Sequence, residues 1–181
     1  MLKARRKLIT LTSITASKFY QTMETQHHAS QQGHVKEGSA AMQDVFNDVF
    51  HGKSFEPKFS MHVQFTKSNK HFDNVSNELI LPHESNQMPV LSLSIKDSSN
   101  VISNYYKSHC TLFMIDPDAP SREHPDNKLY LHWIATDVSI IDKGSIDFSA
   151  ANHEFSYMGP QPPQGTGRHR YILALFAHDK S

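Results

Sequence analysis

Residues 109–115, HCTLFMI, are apolar on both faces of an extended segment. A strand of that kind must lie in the middle of a sheet, covered above and below. The other apolar runs are also short and broken by turn residues. FSMHVQF (59–65) alternates strictly, with Phe59, Met61, Val63 and Phe65 on one face, which is the pattern of a half-buried strand. NELILP, VLSLSI, YLHWIATDV, HEFSYM and RYILALFA complete a set of about seven expected strands. Helical period occurs convincingly once, in SAAMQDVFNDVF (39–50). There Met42, Val45, Phe46, Val49 and Phe50 fall on one face and Ser39 is placed to cap the N-terminus. Strands separated by turn-rich loops predict an all-β or β-dominated sandwich with one N-terminal helix. The sequence shows no internal repeat.

A chain of 181 residues predicts one domain. Residues 39–181 form that domain, and residues 1–38 read as a basic arm followed by a polar linker. The arm, MLKARRKLITLTSITASKFYQTM, has five basic residues and no acid, with many hydroxyls. That is the composition of a mitochondrial transit peptide; the other reading is a disordered arm of a cytoplasmic protein. The net charge of zero offers no bulk electrostatic case for nucleic acid. The single cysteine, Cys110, excludes an internal disulfide and suits a reducing compartment. No apolar run approaches the ~20 residues of a membrane-spanning helix. The 13 histidines carry meaning only through where they stand.

Three segments can carry chemistry. The first, DPDAPSREHP (116–125), follows the buried strand directly. Its prolines stiffen it, and a stiff loop at a strand end can hold a ligand. Asp116 then points toward a cavity at the sheet end; alternatively Asp116 and Asp118 cap their own turn. The second is LYLHWIATD, where alternation puts Tyr130, His132 and Ile134 on one face and Leu131, Trp133 and Ala135 on the other. A lone strand histidine is more often a core residue than a ligand. The third is YMGPQPPQGTGRHRYILALF, a rigid Gly- and Pro-rich segment that runs into His169 and Arg170. Its alternative is a hairpin connection with solvated His and Arg.

Taken together, DPDAPSR, then HW, then YMGPQPPQGTGRHRY resemble the signature of the phosphatidylethanolamine-binding protein family, which includes Raf kinase inhibitor proteins. The resemblance is strong from Asp116 to about Ala177 and looser over residues 41–115. It implies an antiparallel β-sandwich with a small anion pocket at one end. Carried over, the pocket consists of Asp116, Pro120, Tyr130, His132, Gly159, Pro160, Pro162, His169 and Tyr171, with Asp118, Ser121 and Arg122 shaping its loop. Two departures stand out. Asn127 replaces an aromatic found in many members, and the usual C-terminal segment beyond the HRY strand is expected to be lacking.

The residues support the implied chemistry. Imidazoles donate to phosphate oxygens, from both nitrogens when protonated. A neighbouring carboxylate favours the protonated form, and burial disfavours it. Backbone amides of the Gly159–Pro163 turn lie near, and Asp116 can accept from a protonated phosphate or an ethanolamine ammonium. The expected function is a non-enzymatic binding protein for phospholipid head groups such as phosphatidylethanolamine, or for phosphorylated ligands. It would regulate a kinase or a protease by protein contact and need no cofactor. The alternatives are a metal-dependent or acid–base hydrolase built on Asp116, His132 and His169, and a structural part of a larger organellar assembly.

Overall fold

The computed structural model describes residues 11–21, 47, 49–51, 59–73, 75–94, 109–127, 129–141 and 144–178. Among them are ten strands: β1 (Leu11–Gln21), β2 (Ser60–Phe65), β3 (Lys70–Asp73), β4 (Val75–Ile80), β5 (Val90–Ser94), β6 (Cys110–Asp116), β7 (Tyr130–Ile140), β8 (Ile146–Asp147), β9 (Asn152–Phe155) and β10 (His169–His178). The larger sheet runs β4-β1-β10-β6-β7-β8, with β9 also paired to β7; the smaller runs β3-β2-β5. Pairing is antiparallel except between β1 and β4. This is the β-dominated sandwich that the apolar periods predict.

The strict alternation of β2 becomes its burial pattern, with Met61, Val63 and Phe65 inward. They meet Leu91 and Leu93 of β5 and, from the large sheet, Leu112, Met114, Trp133, Tyr171, Leu173 and Leu175. Burying one such side chain contributes about 1.5–3 kcal/mol. β10 lies between β1 and β6 and is buried on both faces. Its second face carries Ile172, Ala174 and Phe176, packed with Phe113 of β6 and with Val49 and Phe50. Phe113 stacks on Phe176 at 5.3 Å between centroids, and Phe50 meets it edge-on at 6.5 Å.

The helix expected over residues 39–50 falls mostly outside the described residues; Val49 and Phe50 from its apolar face lie against the large sheet. Three strands were not expected. β1 lies within the stretch read as a basic arm, yet it pairs along β10 from Leu11↔His178 to Gln21↔His169. Its Thr, Ile, Phe and Tyr favour extended backbone even where hydroxyls dilute the apolar signal. β3 is set by the turn before it, where Asn69 takes φ 53°, and by Phe72 against Phe65 at 6.0 Å. β8 spans two residues, too few for any period to show.

Candidate functional site

Strand register brings the three segments together. Asp116, the last residue of β6, stands opposite Tyr130, the first of β7. β10 runs beside β6 with Ile172 opposite Ile115, so Tyr171 comes level with Asp116 and His169 and Arg170 reach the loop beyond it. Between β6 and β7 the register slips: Met114 pairs with Trp133, but Ile115 pairs with Leu131. His132 is the extra residue of that bulge. Bulges re-aim side chains, and this one breaks the alternation read from the sequence. His132 and Trp133 are both buried, and His132 packs edge-on against Tyr171, which shares the core with Trp133.

Asp116 is 3% exposed and saturated with donors. Its Oδ1 accepts from the Asp118 N–H at 2.7 Å, and its Oδ2 accepts from His169 Nδ1 at 2.7 Å. The Tyr171 hydroxyl also donates to it. The turn-capping and pocket readings of Asp116 therefore hold at once. His169, equally buried, meets the Thr166 hydroxyl through Nε2 at 2.9 Å. Burial, reinforced by the Asp116 carboxylate, pushes the Tyr171 phenol well above its usual range, so it stays protonated.

His132 is fixed by Met158. Its Nδ1 donates to the Met158 carbonyl at 2.9 Å, while the Met158 N–H donates to the His132 carbonyl at 2.8 Å. Burial pushes the His132 imidazole below its usual value; the Met158 carbonyl and Asp116 act the other way and do not offset it. The next residue, Gly159, sits so close to the loop after β4 that a Cβ there would stand 2.5 Å from the Ser85 carbonyl oxygen. The Tyr157 hydroxyl donates to that same oxygen at 2.6 Å, stitching the pocket wall to the loop.

Asp118 faces away from this cluster. Its carboxylate accepts from the Arg170 backbone N–H at 2.8 Å and from the guanidinium through Nε at 2.9 Å and Nη2 at 2.6 Å. Both side chains are buried, so Arg170 is a clamp on the loop and not the solvated residue of a hairpin. Arg122 is exposed and borders a separate hollow on that side with Asp118 and Arg170. Ser121 Oγ accepts from the His124 N–H at 3.1 Å and bonds neither imidazole.

The first cluster encloses a cavity of about 310 Å³. Asp116, Pro120, Tyr130, His132, Gly159, Pro162, His169 and Tyr171 all line it; Pro160 is buried in the same segment without reaching it. Asn127, Met158 and Gln161 join the lining. Of residues 159–163, only Gly159 and Gln161 carry a backbone N–H, because the other three are prolines. The amide cradle expected of this turn is correspondingly sparse. Sequence reasoning singled out Arg170 without its pairing to Asp118, and missed Thr166 and Met158. The two consecutive bases HR after two acids spaced by one residue were the available signal for that pairing; nothing marked the other two.

A two-sheet sandwich with one carboxylate and two imidazoles around an end-of-sheet cavity is a recognisable class of architecture. The family model for phosphatidylethanolamine-binding protein matches residues 50–181, and the chain belongs to that family. It is similar to the protein BROTHER of FT and TFL 1 of Arabidopsis thaliana, at 33% identity over 132 residues, 73% of this chain and 64% of that protein. It is also similar to the carboxypeptidase Y inhibitor of Saccharomyces cerevisiae, at 27% identity over 75% of this chain and 70% of that one. In structure it resembles the carboxypeptidase Y inhibitor in complex with its cognate proteinase. The TM-score is 0.63 at 24% identity, over 76% of this chain and 68% of that one. The phosphatidylethanolamine-binding protein of Plasmodium vivax gives a TM-score of 0.56 at 26% identity, over 75% and 67%. The chain thus spans less than two thirds of the Arabidopsis relative's length.

Proposed function

We propose that this chain is a non-enzymatic binding protein. Its pocket takes phosphoryl head groups, that of phosphatidylethanolamine among them, or phosphorylated ligands, and the protein regulates a kinase or a protease by contact. The observation that carries the reading is the meeting of Asp116, His132 and His169, from three strands, in one cavity of about 310 Å³. That size suits a head group. The yeast relative named as a carboxypeptidase Y inhibitor, whose fold is known in complex with the proteinase, supports action through protein contact.

The hydrolase reading finds less support. A triad needs a nucleophile against its base, and the Ser121 hydroxyl is bonded to the His124 backbone instead. A metal site needs an imidazole lone pair, whereas both nitrogens of His169 are engaged within the protein. The reading also keeps residues 11–21 as part of the folded protein and places it in the cytoplasm; the pairing of β1 with β10 supports retention. The test is calorimetric titration with O-phosphoethanolamine, alongside an assay for phosphate release. Saturable one-to-one binding without turnover is expected. Turnover that tracks stoichiometric metal and vanishes in His132→Ala would overturn it.

A further inference from the structure

The two imidazoles do not offer a ligand the same thing. His169 Nδ1 faces a carboxylate oxygen at 2.7 Å, an acceptor. Its Nε2 faces the Thr166 hydroxyl, which gives its one proton to the Pro163 carbonyl at 2.7 Å and so must accept from the ring. Both ring nitrogens of His169 therefore act as donors inside the protein. With Asp116 the histidine forms a unit that already holds its full set of protons and carries no net charge. Asp116 is further occupied by the Asp118 N–H and the Tyr171 hydroxyl.

His132 is different. The Met158 carbonyl can only accept, so Nδ1 carries the proton and Nε2 carries the lone pair. The side chain is 4% exposed and lines the cavity, and Nε2 has no hydrogen-bond partner among the described residues. A buried polar atom without a partner is costly, and its usual explanation is a missing one. The ionisable groups around it are Asp116 from β6, His169 and Tyr171 from β10, and Tyr130 from β7 itself. Asp116 and His169 cancel, burial keeps the Tyr171 phenol protonated, and burial keeps His132 itself neutral. The cavity presents an acceptor and no net positive charge.

We propose that the pocket binds a phosphoryl monoester in its singly protonated form, with the P–O–H donating to Nε2 of His132. The inference rests on the phosphoryl reading of the cavity given above and specifies the ligand's charge state. A monoester monoanion brings one O–H and one charge. The dianion brings two charges and no O–H into a neutral, buried pocket, where an unpaired charge is heavily penalised. A diester brings a charge but no O–H. The amides of Asn127 and Gln161, which line the same cavity, carry donors for the remaining oxygens.

The test compares O-phosphoethanolamine, a monoester, with glycerophosphoethanolamine, a diester, by calorimetry between pH 6 and 8 in two buffers of different ionisation heat. Monoesters lose their second proton near pH ~6. Binding of the monoester at pH 7.5 should therefore take up about one proton, and its Kd should weaken roughly tenfold from pH 7 to pH 8. The diester should bind more weakly, with no proton uptake and little pH dependence, and phosphatidylethanolamine vesicles should follow the diester. In His132→Gln the side chain cannot titrate but its amide oxygen can still accept from the P–O–H, so the proton uptake should persist; its loss would place the proton on His132 and overturn the proposal. A monoester affinity that is flat from pH 6 to 8 would overturn the proposal. So would equal proton uptake by the diester, which would mean that His132 itself ionises. If neither ligand binds at any pH, the phosphoryl reading falls along with it.

Discussion

Two acid–base pairs share one loop and one strand end. Asp116 pairs with His169 and Asp118 pairs with Arg170, so acids two residues apart meet bases that are neighbours in the chain. Strand alternation separates them: His169 turns into the cavity, and Arg170 turns to the other side of the loop. The first pair joins a titratable base to an acid and lines a cavity. The second is a forked, buried ion pair between a carboxylate and a guanidinium and lines no part of that cavity. Similar sequence signals thus produce a chemical site and a structural clamp. The clamp holds the loop against β10, and that keeps Asp116 beside His169.

The clamp is where the comparison can be broken hardest. Asp118→Ala leaves the Arg170 charge buried and unpaired, and should cost about 3–5 kcal/mol of stability in urea unfolding. The double variant Asp118→Leu with Arg170→Met should recover much of that loss, since it leaves no orphaned charge. A small effect of Asp118→Ala would mean that the loop is held by its prolines alone.

On the cavity side the effect on stability should be smaller. Asp116→Asn removes the charge from its bonds to His169 and Tyr171 and should cost about 1.5–3 kcal/mol. Its signature should be lost ligand binding in a protein that still folds, the reverse of the Asp118 variant, in which unfolding comes first. Parallel urea curves and ligand titrations on the two variants separate the roles. Gly159→Ala sets a Cβ against the Ser85 carbonyl, at 2.5 Å in the unrelaxed structure. Backbone cannot yield there as a flexible side chain can, and about 1–3 kcal/mol of strain is expected. Because Met158 moves with Gly159, the His132 bond should loosen as well, and ligand affinity should fall.

The smallest effect is a pH dependence. Burial holds the folded His132 below its usual value. Above the unfolded value of ~6.5 both states are neutral and nothing is lost. As pH falls below it, the unfolded chain takes up a proton that the folded His132 refuses, so stability declines until the folded value is passed. The decline from this group cannot exceed about 1.4 kcal/mol per pH unit. Urea midpoints at pH 7.5 and 5.5 for wild type and His132→Gln should show the variant losing less; equal losses would assign the acid sensitivity elsewhere.

Much of this was legible in the sequence because it depends on side-chain period and motif. The alternation of β2 and the doubly apolar β6 and β10 define a sandwich, and three unusual motifs point to Asp116, His132 and His169. What was not legible depends on backbone pairing. The bulge that aims His132 exists only in the register of β6 against β7. β1 is a strand because β10 and β4 lie beside it, not because its own residues are strongly apolar. Thr166 reads as one more polar loop residue until its hydroxyl is seen between the Pro163 carbonyl and His169.

The central claim is that the cavity holds a phosphoryl group at His132. Calorimetric titration of O-phosphoethanolamine into wild type and His132→Ala at pH 6.5 tests it most directly, with the fold of each checked by circular dichroism. Losing one hydrogen bond to the charged phosphoryl group removes about 1.5–3 kcal/mol, so the folded variant should bind roughly ten- to a hundredfold more weakly. Equal affinity in wild type and variant would contradict the account and move the ligand out of this pocket.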